Sequence, residues 1–195
     1  MAEPQWGYGG EGGAMLLLDS DEADCLLNLT GAFGAHLRGL SLQGRRETKK
    51  AVHGVFLNNA QRYSPHEDAI TIDDCKIDRF SGHGVHLLRI WVFLLRRNIL
   101  MADKGCGVQI TDWDGFVMNN QFSGNGSHGF GCEEVGATVM FTANRVVRNG
   151  GYGEDRPKET PPVHQEVNPG QPLHHQLGNQ ARSAMPFCGC PARRA

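Results

Sequence analysis

Between residues 14 and 153, apolar and polar side chains alternate in short runs, and no window sustains the i, i+3, i+4, i+7 apolar spacing of an amphipathic helix. Stretches such as Ile70-Thr71-Ile72-Asp73 and Val85-His86-Leu87 are bounded by Gly, Asn and Asp, the residues of tight corners. The pattern predicts an all-β body without helices.

The runs also repeat. Asn98, Asn120 and Asn144 follow Cys75 at spacings of 23, 22 and 24 residues. Five positions before this column stand Ile70, Phe93, Gly115 and Val139, and three before it stand Ile72, Leu95, Val117 and Phe141. Two positions after it come Ile77, Leu100, Phe122 and Val146, and nine after it come Gly84, Gly107, Gly129 and Gly153. The first three of these glycines each precede an inward pair: Val85 and Leu87, Val108 and Ile110, Phe130 and Cys132. A period near 23 in short strands predicts a parallel solenoid, in which each coil lies about 4.8 Å above the last and stacks like on like. An Asn column at a corner hydrogen-bonds along the stack and tolerates left-handed backbone, while Gly supplies positive φ at the next corner. A less regular earlier coil runs from Ala35 to Leu42 and closes on Gly54–Leu57. About five coils are expected over 14–153.

Composition changes the picture at the C-terminal end. Seven of the nine prolines but only three of the 26 glycines fall within 154–195, which predicts a disordered, Pro-rich tail. The repeat stops at Gly153, where Glu154 takes the next inward position; this predicts a fragment or an altered C-terminal reading frame. A net charge of -2 argues against nucleic acid and against an anionic membrane surface as partners. No signal peptide is recognisable, and the longest apolar run, 90–95, is too short to span a bilayer. The six cysteines do not form a disulfide framework, and no metal site is expected; Cys75 and Cys132 read as inward-facing core residues.

If Val85 and Leu87 face inward, His86 faces out, and Phe56, Gln109 and Gly131 share its column. The neighbouring column holds Asn58, Leu88, Thr111 and Glu133, with Arg89, Asp112, Trp113, Asp114 and Glu134 close beyond it. Aromatic, amide and carboxylate side chains in one strip suit the rings and hydroxyls of a polysaccharide. Two longer connections, 43–51 with Arg45, Arg46, Lys49 and Lys50, and 59–68 with Tyr63 and His66, overhang the solenoid on one side. The basic loop is placed to attract a uronate polymer. His83 and His128, each directly before a column glycine, read as turn residues.

These columns, with Ile70–Ile77 and Phe116–Gly126 as their clearest repeats, resemble the right-handed parallel β-helix proteins of the pectate-lyase-like superfamily. The resemblance implies an exported protein that engages a polysaccharide, as a lyase or epimerase on uronate polymers, with Ca²⁺ the cofactor that a lyase of this kind uses. The alternative it carries is a non-catalytic structural or adhesive solenoid. Polygalacturonase-type hydrolases have an Asp-Asp pair and a Gly-His-Gly on adjacent coils; here Asp73-Asp74 and Gly82-His83-Gly84 share one coil, so hydrolase activity is not implied. Mannuronan epimerases have a Tyr and an Asp-Pro-His, to which Tyr63-Ser64-Pro65-His66 is similar with Ser in place of Asp. By this resemblance Tyr63 and His66 are the candidate acid and base, and Arg89 the candidate base or charge neutraliser of a lyase. Asn58, His86, Gln109, Asp112, Trp113, Asp114, Glu133 and Glu134 are the candidate substrate-binding residues.

Overall fold

The computed structural model describes residues 14–59, 69–111, 114–133 and 139–150. Three parallel sheets wrap one core. Sheet A comprises β1 (Met15–Leu17), β4 (Ser41–Gln43), β7 (Lys76–Asp78), β10 (Ile99–Met101), β13 (Gln121–Ser123) and β16 (Arg145–Val147). Sheet B comprises β2 (Cys25–Asn28), β5 (His53–Asn58), β8 (Val85–Leu88), β11 (Val108–Thr111) and β14 (Phe130–Glu133). Sheet C comprises β3 (His36–Arg38), β6 (Ile70–Asp73), β9 (Val92–Arg96), β12 (Asp114–Met118) and β15 (Val139–Thr142). The chain visits A, B and C in turn, which makes five three-stranded coils before β16 opens a sixth. The tail expected over 154–195 lies outside the described residues.

Strand pairing reproduces the predicted columns. Ile70, Phe93, Gly115 and Val139 are successive partners, as are Ile72, Leu95, Val117 and Phe141. Ile77, Leu100, Phe122 and Val146 stack in sheet A, and Val85, Val108 and Phe130 in sheet B. Most of these side chains are buried, because three sheets converge on them; Phe130, Phe141 and Val146, toward the last coil, are half-buried. Gly115 is the odd member of its column. A Cβ there would overlap the Phe93 ring, which fills the space of two rungs. Gly115→Val should therefore overpack the core and cost about 1–3 kcal/mol in urea unfolding; an unchanged midpoint would contradict this packing.

Corner chemistry differs from the expectation in two respects. The left-handed residue is the one before the amide: Asp74 (φ 53°), Arg97 (φ 52°), Asn119 (φ 56°) and Ala143 (φ 52°) precede Cys75, Asn98, Asn120 and Asn144. Gly84 and Gly107 are needed for space instead, since a Cβ would lie 2.7 and 2.8 Å from the carbonyl oxygen of the glycine one coil on. The Asn column itself is a continuous ladder. Asn98 Oδ1 accepts from Cys75 N–H at 2.9 Å, Asn120 Oδ1 from Asn98 N–H at 2.9 Å, and Asn144 Oδ1 from Asn120 N–H at 2.8 Å.

A second ladder joins sheets A and B and was not read from the sequence. Asp103 Oδ1 accepts from Phe80 N–H at 2.8 Å, Asn125 Oδ1 from Asp103 N–H at 3.1 Å, and Asn149 Oδ1 from Asn125 N–H at 3.0 Å. Each of the two asparagines also donates its Nδ2 to a carbonyl one coil back, Leu100 and Phe122. Asp103 is fully buried, and its Oδ2, which takes the place of that donor, has no partner as a carboxylate. Burial holds its carboxyl well above the usual range, so the neutral acid, with a proton to donate, is the form that matches its neighbours. Because the folded pKa is raised, this stability is fully present below the unfolded value of 3.8 and fades as pH rises through the folded one. Asp103→Asn should stabilise the fold at pH 7 by about 1–3 kcal/mol and have little effect near pH 4. Equal denaturation midpoints for variant and parent at both pH values would refute this.

Candidate functional site

Sheet B carries the strip that the alternation predicted. Asn28, Phe56, His86, Gln109 and Gly131 are successive partners on its outer face, and Asn58, Leu88, Thr111 and Glu133 are successive partners beside them. Asn28 is exposed, and Phe56, Asn58 and His86 are half-buried. The Phe56 and His86 rings meet edge to face at 5.6 Å. Gln109 departs from the prediction: it is only 8% exposed. Its amide lies over the bare Cα of Gly131 and accepts from the Cys106 thiol at 3.2 Å, so it is not displayed to a ligand.

Arg89 is exposed at the corner between sheets B and C, with φ 53°. Asp114 is exposed too, but it opens β12 in sheet C beside Val92, so it faces a different side from His86. Tyr63, His66, Asp112, Trp113 and Glu134 lie outside the described residues, and Glu133 is described only by its backbone place in β14. The structure thus brings Asn58 and His86 together on one sheet, sets Arg89 at its edge and separates Asp114 from them.

Two sequence features turn out to be structural. Asp73 is fully buried beneath Arg96 and Arg97, with ion-pair distances of 2.8 and 2.7 Å. Arg97 also grips Asp74 at 2.6 Å, and Arg38 approaches Asp74 at 3.4 Å. The Arg97 hydrogen bond lowers the Asp74 carboxyl below its usual range. Neither carboxylate is placed for acid–base work. In the basic loop, Arg45 pairs with Asp19 at 3.1 Å, Lys50 with Asp24 at 2.7 Å and Lys49 with Glu22 at 3.9 Å. The acidic connection between β1 and β2 thus pairs with three of the four cations that were expected to attract a uronate.

A group that the sequence reading passed over lies at the entrance of sheet B. His53 opens β5, His83 stands one coil above it, and His86 leans against both. The His53 and His83 rings are parallel with centroids 5.2 Å apart, and His86 tilts against them at 4.7 and 4.9 Å. One ligand atom from each of the three lies within 4.8 Å of the others, a spacing that invites a metal reading. The backbone opposes it. His53 Nδ1 accepts from His83 N–H at 3.0 Å, and His83 Nδ1 accepts from Cys106 N–H at 2.9 Å. A neutral imidazole that accepts at Nδ1 carries its proton on Nε2, so neither ring has a lone pair left for a cation. Burial, with the neighbouring histidines adding to it, lowers His53 to about 4 and His83 to about 3, so both are neutral at pH 7. His86 is lowered by burial as well. The signal was legible: the positions before Gly54, Gly84, Gly107 and Gly129 read His53, His83, Cys106 and His128.

Residues 40–154 match the family described as the right handed beta helix region. The chain belongs to that family. The match spans more than half of this β-helix protein, from β4 to just beyond β16, and gives the solenoid its right hand. No curated protein and no solved structure matches the chain. Membership in the right-handed β-helix family accounts for the coil and its ladders and leaves the function open, since one fold carries many activities.

Proposed function

We propose that this β-helix protein engages an extended, uronate-containing polysaccharide along the outer face of sheet B. The observation that carries the reading is the stacked column of Asn28, Phe56 and His86, with two aromatic rings in edge contact at 5.6 Å and Asn58 beside them. A β-helix repeats its outer face at every coil, and a polymer of similar rings is the ligand that matches such a surface. Phe56 gives an apolar floor for a sugar face, Asn28 and Asn58 supply amides for hydroxyls, and Arg89 at the edge offers a cation for a carboxylate.

A second reading, a β-helix that binds or adheres without turnover, is favoured by the arginine-held Asp73-Asp74 pair. Affinity electrophoresis on a panel of neutral and uronate polymers tests the first reading. Retardation by a uronate polymer, weakened about tenfold or more by Phe56→Ala, is the expected result; absence of retardation on every polymer would end it. Ultraviolet absorbance of unsaturated products and NMR of inverted C5 centres then separate lyase and epimerase chemistry from binding alone.

A further inference from the structure

We propose that His53 and His83 are the recognition pair of this face: two imidazoles, one coil apart, whose Nε2–H groups donate hydrogen bonds to oxygen acceptors of the bound polymer, its carboxylates above all. This inference rests on the reading of sheet B as a glycan-binding face and assigns the residues that would discriminate acidic sugars.

The ladder geometry carries it. A backbone N–H is always a donor, so the bonds from His83 N–H to His53 Nδ1 and from Cys106 N–H to His83 Nδ1 leave each ring one tautomer. The proton therefore sits on Nε2. Neither Nε2 is among the buried polar atoms that lack a partner; of the three rings, only Nδ1 of His86 is. Two glycines make room for the rings: a Cβ at position 82 would lie 2.6 Å from His53 Nδ1, and one at position 105 would lie 2.7 Å from His83 Nδ1. The parallel stack, with 2° between the ring planes, then aims both donors in one direction at the coil spacing. Phe56 and His86 pack against His53 at 5.8 and 4.7 Å and form the apolar wall beside it. Pre-set donors at half-buried positions lose little freedom when an oxygen ligand arrives, and a carboxylate gains most from them.

Two substitutions separate the inner bond from the outer donor. His83→Asn keeps an acceptor where Nδ1 stood, as the asparagine ladders do, and removes the outer N–H. His83→Gln can present a donor near the Nε2 position and loses the inner acceptor. The expected result is that His83→Asn and His53→Asn each melt within a few degrees of the parent yet bind polygalacturonate or alginate oligomers about 10- to 100-fold more weakly. His83→Gln should show the reverse, a lower melting temperature with most of the affinity retained. Side-chain ¹⁵N NMR of the parent should show His53 and His83 as Nε2–H tautomers, and titration with Zn²⁺ should leave those signals in place.

Unchanged affinity in both Asn variants, with the parent still binding, would overturn the recognition pair and leave the glycan-face reading standing. A parent that binds no uronate oligomer would overturn both. Stoichiometric Zn²⁺ capture by the three rings would overturn the tautomer assignment and make the cluster a metal site.

Discussion

Lowering the pH from 7 to about 4.5 is expected to remove on the order of 3–5 kcal/mol of folding stability through His53 and His83, on the basis of 1.36 kcal/mol per pH unit per shifted group. Both rings are held neutral in the fold, with values of about 4 and 3 against 6.5 in the open chain. Between 6.5 and those values the unfolded chain takes up protons that the folded one refuses. Their contribution is therefore complete above about 6.5 and is lost as pH falls through the folded values. The refusal has a structural origin: protonating Nδ1 would set an N–H against the N–H of His83 or Cys106. Asp78 and Asp103, both raised by burial, act with the opposite sign over part of this range, so the comparison has to be made between variants. Urea unfolding of the parent and of the His53→Asn/His83→Asn double variant, across a pH series, isolates the effect. The double variant should show the flatter profile, and equal slopes would remove the histidines from the account.

Asn98→Ala is expected to cost about 3–5 kcal/mol, since each buried polar group left without a partner costs roughly 1–3 kcal/mol. Asn98 is 1% exposed. Its Oδ1 accepts from Cys75 N–H, while its Nδ2 donates to Ile72 O at 2.8 Å and to Asn120 Oδ1 at 3.0 Å. Alanine strands the Cys75 amide and the Ile72 carbonyl where water does not reach, and it breaks the ladder in its middle. Asn144→Ala, at the half-buried end of the same ladder, should cost less because solvent can replace part of what is lost. Chemical denaturation of both variants reads the difference. A loss below about 1 kcal/mol at Asn98 would mean that the ladder contributes little to stability.

Which parts of the candidate site were readable depends on how far each feature follows from strand alternation. His86 and Asn58 reach the outer face because every second residue of a strand does, and the register of β5 and β8 then sets Phe56 beside His86. Gln109 obeys the same alternation and is still buried, because the missing side chain of Gly131 opens a space that its amide fills. Asp73 and Asp74 look like paired carboxylates in the sequence. Their arginine partners lie 23 and 24 residues away, on the next coil, and no local pattern announces them. His83 was read as a turn residue and His53 was not singled out, because the partner of each ring is the backbone of the following coil.

By itself the sequence determined the coil. Residues repeating near every 23 positions must stack when strands pair in parallel, so the apolar columns, the Asn ladder and the outward faces of sheet B all followed from spacing. Only the tertiary structure decided which polar groups are available to a ligand. That depends on side-chain contacts between coils: arginines closing over Asp73, an acidic connection pairing with three cations of the basic loop, and backbone amides choosing one tautomer for two histidines. Those contacts act over a few ångströms across residues far apart in the chain, and periodicity records the stacking but not the contacts made on it.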